Sequence, residues 1–158
     1  MPPLNRQPKV ITCAVEIQYA SLALEKKVNA LASNALLKKW MHASVNRSGN
    51  LTLRFVNRTE GQELNQQYRA KAYATNVLTF SYALSKRDLA ADILICMPVV
   101  SNEAREQGKA PKAHLAHLVV HGCLHAAGLD HLTQGEAKVM EAREIAILKT
   151  LGFSDPYA

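Results

Sequence analysis

The segment His121-Gly-Cys-Leu-His125-Ala-Ala-Gly128-Leu-Asp130-His131 concentrates side chains able to hold a metal ion. Histidines at i and i+4 of a helix leave from one face, with Cβ atoms close enough to share an ion. Gly128 can end such a helix in a left-handed cap and turn the chain back. That return would carry His131 to the same point. Three neutral imidazoles with an open fourth position are the pattern of a catalytic zinc rather than a structural one. One Zn(2+) per chain is therefore expected on His121, His125 and His131, although copper, nickel and iron also accept imidazole. Asp130, beside the last of these, is a natural acceptor for an imidazole N–H. Ordinary helix-surface histidines are the plainer alternative, but this spacing with a glycine at the turn favours ligation.

The remaining histidines weigh less. His117 stands at i−4 from His121 and could ligate, yet it precedes the turn glycine, and its use would leave His131 without a role. It reads as a neighbouring polar residue of the helix, as does His114, while His42 carries no signal. Cys123 lies on another face and reads as a small buried apolar residue. The spacing H-x3-H-x2-G-x2-H also matches the metzincin peptidases, in which the residue after the first histidine is a Glu that acts as general base. Here that position is Gly122, which cannot move a proton. The metal site survives that change and the peptidase mechanism does not.

The elements that must position these groups follow from pattern. Residues 9–19 read as a strand, 21–43 as one helix, and Leu51–Val56 as a second strand after a polar turn. Thr59 with Gln62 has capping-box spacing, so a helix is expected from there to about Ala70. Val77–Tyr82 and Ala91–Met97 read as further strands, with Pro98 ending the last. Pro111 opens a helix that Gly128 closes, with Leu115, Leu118, Val119 and Ala126 on its core face. A final helix runs from Gln134 to Leu151. Strands early and helices late give an α+β fold, a small mixed sheet of about four strands packed by about five helices. The metal site then sits at the end of a helix in the C-terminal half.

At 158 residues the chain fits one domain, expected to be a single metal-dependent hydrolase domain over residues 1–158. With 48% hydrophobic and 20% charged residues, wholesale disorder is excluded. The net charge of +6 attracts polyanions. No stretch approaches the ~18 apolar residues of a membrane span, and the first residues show no apolar segment of signal-peptide type. Three scattered cysteines, Cys13, Cys96 and Cys123, suit neither a disulfide framework nor a CxxC metal site. A reducing compartment, the cytoplasm, is expected.

With its surroundings, the histidine segment resembles the signature of the YbeY-type bacterial endoribonucleases, metal-dependent factors in ribosomal RNA maturation. Asn65-Gln-Gln-Tyr68-Arg69 and Thr75-Asn76-Val77-Leu78-Thr79-Phe80 are similar to that family's Tyr-Arg pair and its Thr-Asp-Val-Leu-Ser-Phe run. Ala91-Asp92-Ile93 resembles its Gly-Asp-Ile strand, and Met140-Glu141 through Gly152 to Pro156-Tyr157 resembles its last helix and tail. Asn76, Thr79 and Ala91 stand where the family usually has Asp, Ser and Gly, which leaves open an acidic role at position 76. The resemblance implies zinc ligands at His121, His125 and His131, and a functional arginine at Arg69. Taken alone, Arg69 reads as a solvated cation at a helix end. Its guanidinium nevertheless suits a phosphodiester and stays charged.

The resemblance therefore implies a zinc-dependent, single-strand-specific endoribonuclease acting in rRNA maturation, at the 3′ end of the small-subunit rRNA, and in ribosome quality control. Its expected partners are single-stranded RNA, small-subunit rRNA and ribosome-associated proteins, with no membrane and no DNA. Zinc would polarise a phosphoryl oxygen or acidify a water. Arg69 would neutralise charge developing on the phosphate. Either water or the ribose 2′-hydroxyl can attack. Aromatic residues make up only 6% of the chain, which predicts little base stacking and low sequence selectivity. A non-catalytic ribosome-assembly factor with a structural zinc is the alternative, and a metal-dependent hydrolase of another ester or amide is the third reading.

Overall fold

Alternating apolar positions build the sheet. In β2 (Ser48–Val56), Leu51, Leu53 and Phe55 turn to one side and are buried, whereas Val56 turns to the other. In β4 (Asp88–Cys96), Ala91, Ile93 and Ile95 join the first side, and Leu94 and Cys96 the second. The computed structural model describes residues 11–69 and 75–158. Its sheet has the order β1-β2-β4-β3. β1 (Cys13–Tyr19) and β2 are parallel, as are β2 and β4, whereas β3 (Val77–Leu84) runs antiparallel to β4. The mixed α+β architecture expected from the sequence is the one observed.

The larger core lies on the side of Leu51, Phe55 and Ile93, beneath α1 (Leu22–Asn29), α2 (Asn34–Ser44), α5 (Pro111–Ala126) and α6 (Gln134–Thr150). A smaller cluster on the other face, Val56, Leu78, Leu94 and Cys96, packs with Leu64 of α3 (Arg58–Arg69) and Val99 of α4 (Met97–Glu106). Among the described residues no helix is long and apolar enough to cross a membrane.

Several boundaries differ from the sequence reading: β2 begins at Ser48 and β4 at Asp88, β3 runs on to Leu84, Met97 belongs to α4, and two helix boundaries change. The single helix expected over 21–43 is two, which makes six helices among the described residues rather than about five. The Ser33 hydroxyl accepts from the Leu36 N–H at 3.1 Å and starts α2 afresh, while Asn29 donates to the Ala32 carbonyl at 3.1 Å in the turn between them. These side-chain bonds compete with a continuous helix whose Leu, Ala and Lys composition would otherwise favour it. The start of α3 also moves. Asn57 Oδ1 accepts from the Glu60 N–H at 3.2 Å, so Asn57 is the cap and Thr59 lies inside the helix. Pro98 stands in the first turn of α4, where a missing N–H costs nothing.

α5 is buried on almost every side rather than on one face, and Cys123 is fully buried within it as expected. Gly122 explains how closely the helix approaches the sheet. A Cβ at that position would lie 2.7 Å from Ile93 Cγ2 and 3.3 Å from Val77 Cγ2. Gly122→Ala should therefore destabilise the protein by about 1–3 kcal/mol through overpacking, as measured by denaturant unfolding. In a double-mutant cycle with Ile93→Ala, which removes the opposing methyl, that cost should shrink. An unchanged cost would mean that the strain lies elsewhere.

Candidate metal centre

The geometry begins at the end of α5. The Gly128 N–H donates to the His125 carbonyl at 3.0 Å and the Leu129 N–H to the Leu124 carbonyl at 3.1 Å, with Gly128 at φ +98°. That pairing is a Schellman turn, which needs a left-handed residue after the cap. Arg47 closes the same end from another element, its guanidinium donating to the Ala127 carbonyl at 2.5 Å. A cation there also complements the negative end of the helix. The chain then doubles back and brings His131 beside the helix.

His121, His125 and His131 form a triangle of rings, with centroids 5.5, 5.8 and 6.2 Å apart. Three imidazoles on one tetrahedral ion, each bound at ~2.1 Å, stand about 5 Å apart by centroid. The observed triangle is slightly wider. Among the described residues no group of three or more His, Cys, Asp or Glu side chains is already closed enough to hold an ion.

The tautomers fit a metal better than the spacing alone. His121 Nδ1 lies 2.5 Å from Glu144 Oε1, and His125 Nδ1 lies 2.7 Å from the Leu129 carbonyl. Both acceptors require an N–H at Nδ1, which leaves the lone pair of a neutral ring at Nε2. His131 is exposed on the returning chain. Among the described residues Asp130 meets the main chain rather than an imidazole: its Oδ1 takes the backbone N–H of His131 at 2.8 Å. An adjacent carboxylate reaches the main chain more readily than a ring one residue away.

Glu144 of α6 is the residue that sequence reasoning missed. It is fully buried and accepts from His121, from His117 Nε2 at 3.2 Å, and from the Tyr157 hydroxyl. Burial pushes its carboxyl up, but the bonds from His117, His121 and Tyr157 outweigh that and hold it down to about 2. The opposite holds for Tyr157, whose phenol is raised by burial and by the Glu144 carboxylate. A signal was available, because Glu144 occupies the buried stripe of α6 together with Met140, Ile147 and Leu148. His117 is thus a polar neighbour that braces Glu144, and its other ring nitrogen is buried without a partner among the described residues.

A second carboxylate repeats the theme further along α5. Glu103 Oε2 lies 3.3 Å from His114 Nε2 and accepts from Asn76 Nδ2 at 3.2 Å. The acid near position 76 is therefore supplied by Glu103, with Asn76 as its donor. These residues line a cleft of about 290 Å³ that also includes His121 and Tyr157. On the other side of Tyr157, a cleft of about 260 Å³ is lined by His121, His131, Met140, Glu141 and Glu144. Gly122 faces Ile93 of the sheet, so position 122 offers neither a base nor room for one. Arg69 is the last residue of α3, and its side chain lies outside the described residues.

Comparison with known proteins adds to this geometry. The family model described as endoribonuclease YbeY matches residues 14–152. The protein named endoribonuclease YbeY from Polynucleobacter asymbioticus is 59% identical over 143 residues, covering 90% of this chain and 92% of its own. Its counterpart from Paraburkholderia phytofirmans is 46% identical over 155 residues, covering 98% and 99%. A Thermotoga maritima protein solved in solution shares the fold, with a TM-score of 0.53 and 24% identity, over 91% of this chain and 99% of that one.

The His114 environment gives a pH prediction. Burial lowers its pKa below 6.5 against the pull of Glu103, with Lys109 and His117 adding to the lowering, and its buried Nδ1 has no partner among the described residues for a second proton. As pH falls through about 6.5 the unfolded chain takes up that proton first, so the stability attached to neutral His114 is complete above this pH and lost below it. The urea midpoint of the wild type should fall between pH 7.5 and pH 5.5, and fall less in His114→Gln. Equal declines would assign the pH dependence to other groups.

Proposed function

Because the chain belongs to the YbeY endoribonuclease family, we propose that it cleaves phosphodiester bonds of single-stranded RNA at a centre formed by His121, His125 and His131. The observation that carries the reading is the anchoring of Nδ1 on His121 and His125, which points the chemistry of both rings to Nε2. A zinc ion held there would supply Lewis acidity toward the phosphodiester and acidify a water. Neutral imidazoles suit that ion and need no deprotonation to accept it.

The chain's own residues do the rest. Glu144 and the Leu129 carbonyl fix ring orientation, so little reorganisation is left for the moment of reaction. Arg69 offers a planar fork of donors to the phosphate as its charge grows. The net charge of +6 holds the RNA backbone without reading sequence, which makes binding salt-sensitive. With few aromatic residues to stack bases, selectivity is left to the context of the RNA. Small-subunit rRNA, matured at its 3′ end in the company of ribosome-associated proteins in the cytoplasm, is the substrate proposed here.

The test is cleavage of a labelled single-stranded RNA by zinc-loaded wild type beside identically purified Arg69→Ala and His125→Ala. Both variants should remain folded by circular dichroism and lose at least about a hundredfold in rate. If all three cut alike, the activity is a contaminant and the reading fails. A 2′,3′-cyclic phosphate on the product would identify the ribose hydroxyl as the attacking group.

A further inference from the structure

We propose that Tyr157 is a positioning residue of the metal centre, acting through Glu144 on His121. The proposal rests on the reading of His121 as a metal ligand. Glu144 has no contact with solvent, so both of its oxygens must be satisfied within the protein. Oε1 serves His121 Nδ1 at 2.5 Å. Oε2 takes His117 Nε2 at 3.2 Å and the Tyr157 hydroxyl. The carboxylate plane is thereby held from both ends, and its hold on His121 depends on what happens at the far oxygen.

Tyr157 arrives from outside the helices, and its place is itself fixed. Lys109 Nζ donates to the Pro156 carbonyl at 3.0 Å, and Asp155 Oδ1 accepts the Tyr157 N–H at 2.8 Å. The phenol ring stands edge-on to His117, with centroids 5.2 Å apart. Its oxygen lies 3.2 Å from His117 Nε2, so the His117 N–H is shared between Glu144 and Tyr157. Without the hydroxyl, Oε2 keeps a single weaker donor, and the carboxylate can turn to divide itself between two imidazoles. His121 then loses its fixed orientation while the protein keeps its core. Tyr157 also lines both clefts that meet at His121, so its ring stands where they divide.

The experiment uses the full chain as wild type, Tyr157→Phe and Glu144→Gln. Zinc affinity is measured by competition with a chromophoric chelator, and the ligand field by the visible absorption of the cobalt-loaded protein. Glu144→Gln should weaken zinc binding about 10–100-fold. Tyr157→Phe should weaken it about 3–10-fold, with a shifted cobalt spectrum and a thermal midpoint lowered by only about 2–8 °C. If Glu144→Gln does not fold, Tyr157→Phe decides alone, since it removes one partly exposed hydroxyl. Wild-type zinc affinity and an unaltered cobalt spectrum in Tyr157→Phe would overturn the proposal, whether or not its thermal midpoint falls. A wild type that binds neither metal would overturn the metal reading and this proposal with it.

Discussion

A carboxylate removed from water must be met by donors, and much of this molecule is arranged around meeting the one on Glu144. Its donors come from α5 and from the segment beyond α6, so the group ties together parts of the chain that share no strand or helix. Removing one partner from such a site costs more than the bond itself, because a buried charge is left short. The tautomer of His121 follows from this constraint. A ring facing a buried carboxylate donates to it and keeps its other nitrogen bare.

The second requirement is proximity. α5 can serve as the central helix because Gly122 lets it settle against Ile93 without a side chain between them. That approach buries the helix almost all round, and its polar positions at 114, 117 and 121 are tolerated because Glu103 and Glu144 pair with them. One glycine brings the helix down, and another, Gly128, sends the chain back. Between them they set where the histidines stand.

What could be read from the sequence was local. His121, His125 and the turn at Gly128 lie within eight residues, so helical geometry alone brings them together. The strands of the sheet were legible because alternation has a fixed period. Glu144 and Tyr157 were not, since the imidazoles that meet Glu144 lie on α5 and Tyr157 reaches it from beyond α6, so only packing makes them neighbours. Even so, a glutamate in phase with Met140 and Ile147 was a conflict with the buried stripe, and such conflicts mark functional places. The break between α1 and α2 was masked by strong helix formers on both sides of Ser33, whose capping bond becomes decisive only once α2 packs against β1. Asp130 shows a different limit. Adjacency in sequence suggested a ring contact, and the nearer main-chain N–H took the carboxylate instead.

The low pKa of Glu144 has a consequence for charge balance at the centre. The hydrogen bonds from His117, His121 and Tyr157 favour the ionised carboxylate, directly behind His121. Neutral imidazoles add nothing to that tally, so a divalent ion would leave the assembly with a single surplus positive charge rather than two. A phosphodiester carries one negative charge and would neutralise it in full. A cleaved product ending in a phosphate monoester carries nearly two, which overshoots the balance. With the proposed ion bound, the buried carboxylate would match the centre to an intact strand and leave it over-supplied with negative charge once that strand is cut to a monoester.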